Sequence, residues 1–321
     1  MPAAGYEIDF LRVSGLARRN PLRAALAVGR AARAVGAARR ILRDRGADAA
    51  LGGGGYVAGP VGFAAVRAGL PLVLTEADSH LGLANRMLAS RARRVCLAFP
   101  IEGRESDRYL VTGRPVPRAV LDADREAARR RFAVGEAERC IAVVGGSLGA
   151  RSVNLAALDA FTGGAGGEAS ASRVIHVAGR RDFDVLSERL RGAGSSDHYT
   201  LLSYEPTLAD VLAAADLVVA RAGGSVMEIA AAGLPAILIP YPHATADHQT
   251  ANARWMADGG AAVVIADADL TPDRLAAEAT GLLSDESRLR EMASASRRLA
   301  RPDAAERIAA EALAAAREDH A

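Results

Sequence analysis

The chain has 321 residues, of which 50% are hydrophobic and only 4% aromatic, enough for two domains with cores of Ala, Val, Leu and Ile. All 40 basic residues are Arg and they are unevenly spread: residues 1–120 carry 19 Arg against 9 acids (+10), residues 121–321 carry 21 against 29 (−8). No apolar run reaches the ~18–20 residues of a membrane span and MPAAGYEIDFLRVSGL lacks the apolar stretch of a signal peptide, so a cytoplasmic chain is expected whose basic half faces something anionic.

Residues 18–45 interleave nine Arg with Ala, Leu, Val and Ile. This basic amphipathic pattern suits either an anionic leaflet or an ordinary solvated helix face. It has no interleaved aromatics, so nucleic acid is not expected as a partner. A strand, DAAL (48–51), then leads into GGGGYVAGP (52–60). Consecutive glycines are costly to order, which points to a close approach of backbone to a ligand or neighbour. PLVL (71–74) is the next strand. It runs into LTEADSHLGLANR (74–86), with Glu76, Asp78, His80 and Asn85. Carboxylates at a strand end are general-base candidates, or they belong to a polar loop with a capping Asp. RVCLAF (94–99) closes this series.

The stretch TGRPVPRAVLDADREAARRRF (112–132) holds two prolines and a polar helix without a strand, so a domain boundary is expected near 115–138. A second series follows: CIAVV (140–144), RVIHVA (173–178), YTLLSY (199–204), DLVVA (216–220), PAILIP (235–240) and AAVVI (261–265). TGGAGGEASAS (162–172) reads as a surface loop, and 285–318 as helix broken at Pro302. Strands apolar on both faces and alternating with helices indicate parallel sheets covered by helices. The expected fold class is α/β, two doubly wound domains in series, with ligands at the carboxyl ends of the strands. Cys96 and Cys140 sit inside apolar runs and read as buried free thiols.

Three stretches of the second series carry the chemistry. GGSLGAR (145–151) follows a strand and opens a helix. Its backbone N–H groups can cradle a phosphate, or the glycines simply let helix and strand pack closely. ARAGGSVMEIAAAGLPAILIPYP (220–242) is strand, glycine turn, helix and buried strand. Its Ser225 and Glu228 have capping-box spacing. Glu228 either caps that helix or accepts bonds from a ribose diol. HATADHQTANARWM (243–256) offers His243, His248, Gln249 and Asn252 without metal-ligand spacing. Gln249 suits a sugar or phosphate contact, and no metal is expected.

GGGGYVAGP, TEADSHLGLANRMLA, LAFP, VTGRPV, GGSLGAR and RAGGSVMEIAAAGLPAILIPYPHATADHQTANA occur together in one order and spacing. The chain in this respect resembles the MurG group of glycosyltransferase family 28, from about residue 4 to about residue 300. The resemblance implies a GT-B fold: an acceptor- and membrane-facing Rossmann-like domain (1–120), a UDP-sugar domain (121–300) facing it across a cleft, and a C-terminal helix (301–321) for which packing back on the first domain is one option. It implies inverting transfer of N-acetylglucosamine from UDP-GlcNAc to the C4 hydroxyl of lipid I (undecaprenyl-pyrophosphoryl-MurNAc-pentapeptide). The product is lipid II, for peptidoglycan synthesis, made without cofactor or metal at the cytoplasmic side of the cell membrane. An alternative on the same fold is a UDP-GlcNAc-binding protein, epimerase-like or inactive.

The implied donor residues are Asp78, Arg114, Ser147, Gly149, Tyr204, Glu205, Gly224, Ser225, Glu228 and Gln249. The backbone at Tyr204 and Glu205 would read uracil, Ser225 would sit by the phosphates and Glu228 by the ribose. Gly54, Gly55, Tyr56 and Asn85 would hold the acceptor, and Glu76 is the candidate catalytic base. Within the matched stretches the chain departs from the family pattern in four places. Thr75-Glu76-Ala77-Asp78 stands for H-E-x-N, and Leu148 stands for the Gln of G-G-S-Q-G-A-R. Pro117 takes the place of the Arg of G-N-P-V-R, where Arg114 or Arg118 would substitute. The segment Arg221–Glu228 is one residue short. The family's opening strand, G-G-T-G-G-H loop, helix and second strand have no match here. About two βα units, roughly 60 residues, are therefore expected to be missing, through a start assigned too late, a fragmentary sequence or a real loss.

Overall fold

The computed structural model describes residues 5–13, 21–146, 150–162, 172–194 and 197–318. The chain forms two compact units, Met1–Arg114 with Asp303–Ala321, and Pro115–Pro302.

In the first unit a long helix, α1 (Pro21–Asp44), precedes β1 (Ala50–Gly52), α2 (Gly55–Arg67), β2 (Leu72–Glu76), α3 (Leu83–Leu88), β3 (Arg94–Leu97) and β4 (Tyr109–Val111). The described strands pair in parallel in the order β1-β2-β3-β4. Right-handed crossovers between strands in sequential order put successive helices on one face of the sheet. The pleat divides the side chains accordingly. Leu72, Leu74, Val95 and Leu97 pack with Ala65 of α2 and Leu88 of α3, and Leu42 of α1 joins them. Along α1, Ala34 and Ala38 are buried at helical spacing while Arg30, Arg33, Arg39 and Arg40 are exposed.

The second unit runs α4 (Arg118–Leu121), α5 (Arg125–Arg131), β5 (Cys140–Val144), α6 (Arg151–Thr162), β6 (Arg173–Val177), α7 (Phe183–Gly192), β7 (Tyr199–Leu202), α8 (Ala209–Ala214), β8 (Leu217–Ala220), α9 (Val226–Ala231), β9 (Ala236–Leu238), α10 (His248–Asp258), β10 (Ala262–Val264), α11 (Pro272–Ser284) and α12 (Glu286–Leu299). Six parallel strands pair as β10-β9-β8-β5-β6-β7. The order reverses between β5 and β8, and both flanking turns open there. Ile141 and Val143 of β5 pack against Val153, Ala157 and Phe161 of α6 and against Leu275, Ala279 and Leu282 of α11. Asp216 ties α5 to this sheet: its carboxylate accepts from Arg125 at 2.7 Å and from the Cys140 N–H at 2.8 Å.

The last helix, α13 (Ala304–Glu318), belongs to the first unit. Its Ile308 and Ala315 cover Val73 of β2 and Cys96 of β3, the side chains on the sheet face opposite α2 and α3. Cys96 and Cys140 are buried and free, and burial pushes their thiols up to about 11 and about 12. No described helix is long and apolar enough to cross a membrane.

Candidate functional site

The second unit gathers glycine turns and polar side chains at the carboxyl ends of its strands, where open α/β sheets take ligands. Every residue of β5 is buried, and the chain leaves it through Gly145 and Gly146. Gly145 has no room for a side chain. A Cβ there would lie 2.7 Å from Asn154 Oδ1 and 3.2 Å from the Ala178 carbonyl. Its N–H donates to the Val177 carbonyl at 3.0 Å, binding the start of the turn to β6. Ser147, Leu148 and Gly149 lie outside the described residues, as does most of the 162–172 loop.

Next to this turn, β8 ends at Ala220 and Arg221 follows. Its guanidinium joins four elements. It donates to the Ile239 and Pro240 carbonyls at 3.2 Å and to Ser152 Oγ of α6 at 2.7 Å. It also pairs with Asp267 at 2.6 Å, which accepts from Ser152 at 2.7 Å. These bonds clamp the mouths of β8 and β9 to the start of α6. Gly223, Gly224 and Ser225 follow, then α9 with Glu228 in its first turn. The capping box expected from the Ser225–Glu228 spacing is absent on the serine side. Ser225 has helical dihedrals and its side chain makes no cap bond. A capping serine takes an extended backbone conformation, which this tight glycine turn does not give it. Its hydroxyl thus lies in the turn, half-buried.

α10 enters beside this turn. Gln249 Oε1 accepts from the Tyr241 N–H at 2.9 Å, and its amide nitrogen comes next to Gly223. The wholly buried Asn252 donates to the Ala222 carbonyl at 3.1 Å. Gly224, Ser225, Glu228 and Gln249 are therefore brought together around one turn. Tyr204 and Glu205 lie past the end of β7. Arg180 stacks over the Tyr204 ring at 4.5 Å. The Glu205 carboxylate accepts from Arg131 of α5 at 2.8 Å.

In the first unit a separate cluster forms at the carboxyl end of β2. Glu76 is 8% exposed. Its Oε2 accepts from the Gly82 N–H at 2.8 Å and from Asn85 Nδ2 at 2.9 Å, and its Oε1 from the Asp78 N–H at 3.3 Å. Asn85, fully buried, also donates to the Thr75 carbonyl at 2.9 Å. Gly54 and Gly55 both take positive φ, and a Cβ on Gly54 would meet Asn85 Nδ2 at 3.7 Å. The glycine loop and the 76–85 loop thus share Asn85. Tyr56 projects from the start of α2, 71% exposed. Arg114 is exposed at the end of this unit, and like Asp78 it lies outside the unit that holds the other donor candidates.

Arg221, Asn154 and Asn252 hold the turns, and Arg131 holds Glu205. Arg221 and Asn252 lie in the family-pattern stretches, whereas Asn154 and Arg131 carry no motif. The one legible signal is polarity out of place: His176 within RVIHV and Asn154 among Val153, Ala156 and Ala157.

Comparison with known proteins decides the family. The N-terminal domain pattern of glycosyltransferase family 28 matches residues 1–97, and its C-terminal domain pattern matches residues 140–308. A Moorella thermoacetica protein is 39% identical over 96% of this chain and 85% of its own length. The chain belongs to glycosyltransferase family 28. The Moorella protein of this family is named UDP-N-acetylglucosamine–N-acetylmuramyl-(pentapeptide) pyrophosphoryl-undecaprenol N-acetylglucosamine transferase, and a Halorhodospira halophila protein of the same name is 38% identical over 96% of this chain and 84% of its own. Among solved structures, Acinetobacter baumannii MurG superimposes with a TM-score of 0.73 at 30% identity, over 89% of this chain and 79% of that one. The family 28 member described here has the GT-B fold, and it is a hexosyltransferase.

Proposed function

We propose that this chain transfers N-acetylglucosamine from UDP-GlcNAc to the C4 hydroxyl of lipid I, with inversion at the sugar. The observation that carries the reading is the convergence of Gly224, Ser225, Glu228 and Gln249 on the turn at the strand-order reversal, in a chain 39% identical to a transferase of that name. The turns after β5 and β8 present backbone N–H groups to the diphosphate. Ser147 and Gly149 belong to the first turn by sequence, Ser225 to the second. Glu228 accepts from the ribose hydroxyls, the Tyr204–Glu205 backbone reads uracil, and Gln249 reaches the sugar or diphosphate. Asp78 and Arg114 complete the donor contacts. As the acceptor oxygen bonds to C1 and the C1–O bond to UDP breaks, the growing charge on the diphosphate falls on these donors.

Gly54, Gly55, Tyr56 and Asn85 hold the acceptor, and Glu76 takes the proton of its hydroxyl. The three bonds that Glu76 accepts also make it the anchor of the 76–85 loop, so its test has two readouts. Glu76→Gln keeps the shape of the side chain but turns one acceptor into a donor facing an N–H, so Tm is expected to fall modestly; a large fall in kcat measured well below that Tm supports the base, and full turnover removes it. Glu228→Ala is expected to raise the KM for UDP-GlcNAc at least roughly tenfold, the scale of a lost charge-assisted bond pair; an unchanged KM takes Glu228 out of the donor site.

Membrane attachment is peripheral in this reading, through the Arg face of α1 on the anionic cytoplasmic leaflet. Co-sedimentation with anionic vesicles that weakens with salt supports it, and absence of binding at low salt removes it. Binding of UDP without transfer to a lipid I analogue would leave only a nucleotide-sugar-binding protein.

A further inference from the structure

His176 takes no part in the contacts above, yet it is wholly buried in β6, beside the turn that leaves β5. Its ring joins two partners. Nδ1 lies 2.7 Å from the Tyr199 hydroxyl of β7, and Nε2 lies 3.0 Å from Asn154 Oδ1 of α6. The chain of bonds runs in one consistent direction. Asn154 Nδ2 donates to the Ala178 carbonyl at 2.8 Å and to Asp182 Oδ2 at 2.9 Å, so Asn154 Oδ1 is an acceptor. His176 must then carry its proton on Nε2 and donate it to Asn154, while Nδ1 accepts from Tyr199. Burial pushes the imidazole down to about 3, which keeps the ring neutral and in this one tautomer at neutral pH.

The chain ends at two points that bear on the β5 turn. One is the backbone. Asn154 Oδ1 and the Ala178 carbonyl fill the space a Gly145 side chain would need, and the Gly145 N–H is bonded to Val177, the residue after His176. The other is charge: the Asp182 carboxylate, held by Asn154, faces Arg181 at 3.4 Å and Arg151 at 4.0 Å. Arg151 is the first residue of α6, directly after the turn.

We propose that His176 is a positioning residue for donor binding: through Asn154 it fixes Gly145 and the Asp182–Arg151 pair in the arrangement that receives the diphosphate of the UDP-sugar. The proposal rests on the donor-site reading above. Three variants test it, with KM measured separately for UDP-GlcNAc and for a soluble lipid I analogue, and Kd measured for UDP. His176→Phe removes both bonds and is expected to raise the donor KM and the UDP Kd about tenfold, with the acceptor KM within about twofold. Tyr199→Phe removes a single oxygen atom and is expected to raise the donor KM about threefold. His176→Gln restores a donor toward Asn154 and is expected to recover most of the loss. Equal effects on donor and acceptor KM, or unchanged donor KM in Tyr199→Phe, overturn the proposal.

Should His176→Phe not fold, the parent protein supplies a second measurement. In ¹⁵N-histidine spectra one ring is expected to stay in the neutral Nε2–H form at pH 5, and its resonances are expected to move when UDP saturates the protein. A ring that does not respond to UDP overturns the proposal. A parent protein that fails to bind UDP at all overturns the donor-site reading instead.

Discussion

At the scale of single residues, burial sets the chemistry of the titratable groups away from the strand ends. His176 has a folded pKa of about 3 against about 6.5 free, and desolvation is its cause. Tyr199 faces it directly and Asp182 faces it through Asn154. The folded state therefore refuses a proton that the unfolded chain accepts. Stability is unaffected above about pH 6.5 and falls as the pH drops from there toward 3, by roughly 5 kcal/mol from this group. Urea midpoints at pH 7, 5.5 and 4.5 are expected to decline more steeply in the parent than in His176→Phe. The thiols follow the same logic in the other direction. Cys96 and Cys140 are buried with raised pKa values, so a thiol reagent at pH 8 should find no reactive group in the native protein and two in denaturant.

At the scale of elements, the start of the β5 turn is tightly constrained. Gly145→Ala pushes a Cβ against Asn154 Oδ1 and two backbone atoms, and overpacking of that kind costs about 1–3 kcal/mol. The variant is expected to lose several degrees of Tm and to bind UDP weakly; an unchanged melting curve would contradict the close packing. The long strands were plain in the sequence because their residues are apolar on both faces: CIAVV is β5 to the residue. β4 was not foreseen. Tyr109–Val111 is a three-residue edge strand whose side chains are all half-buried, so DRYLVTG shows no apolar run to separate it from a loop.

The site was legible where glycine turns follow strands, since the turn dictates glycine whatever the ligand. It was illegible where a side chain works through another. Nothing in the sequence says that Ser225 leaves its helix uncapped, that Arg221 reaches Ser152 and Asp267, or that Gln249 spends its carbonyl on Tyr241. Such bonds depend on strand order, and six parallel strands can be ordered in many ways. Glu76 shows the limit well. Its place at a strand end suggested a base, and the same place gives it three donors to hold.

At the scale of the whole molecule, the two units have different relations to the ligand. The proposed UDP contacts lie mostly in Pro115–Pro302. A ligand that binds only the folded form stabilises it by RT ln(1 + [L]/Kd), about 2.7 kcal/mol at a hundredfold excess over Kd. UDP alone is therefore expected to slow hydrogen exchange in β5, β6, β8 and α9 and to leave β1 through β3 almost unchanged. Equal protection of both units would argue against a donor site carried by the second. The Arg excess follows the same division: the +10 of residues 1–120 falls almost wholly in the first unit.

The packing of α13 on Val73 and Cys96 has a consequence for the order of synthesis. A ribosome delivers β1–β4 before the second unit, and the helix that covers the second face of their sheet only after it. Between those moments the whole of the second unit emerges, contiguous in sequence and able to close its own core. The unit begun first is thus finished second, and until Ile308 and Ala315 arrive, one side of its sheet stays open to whatever apolar surface the cell presents.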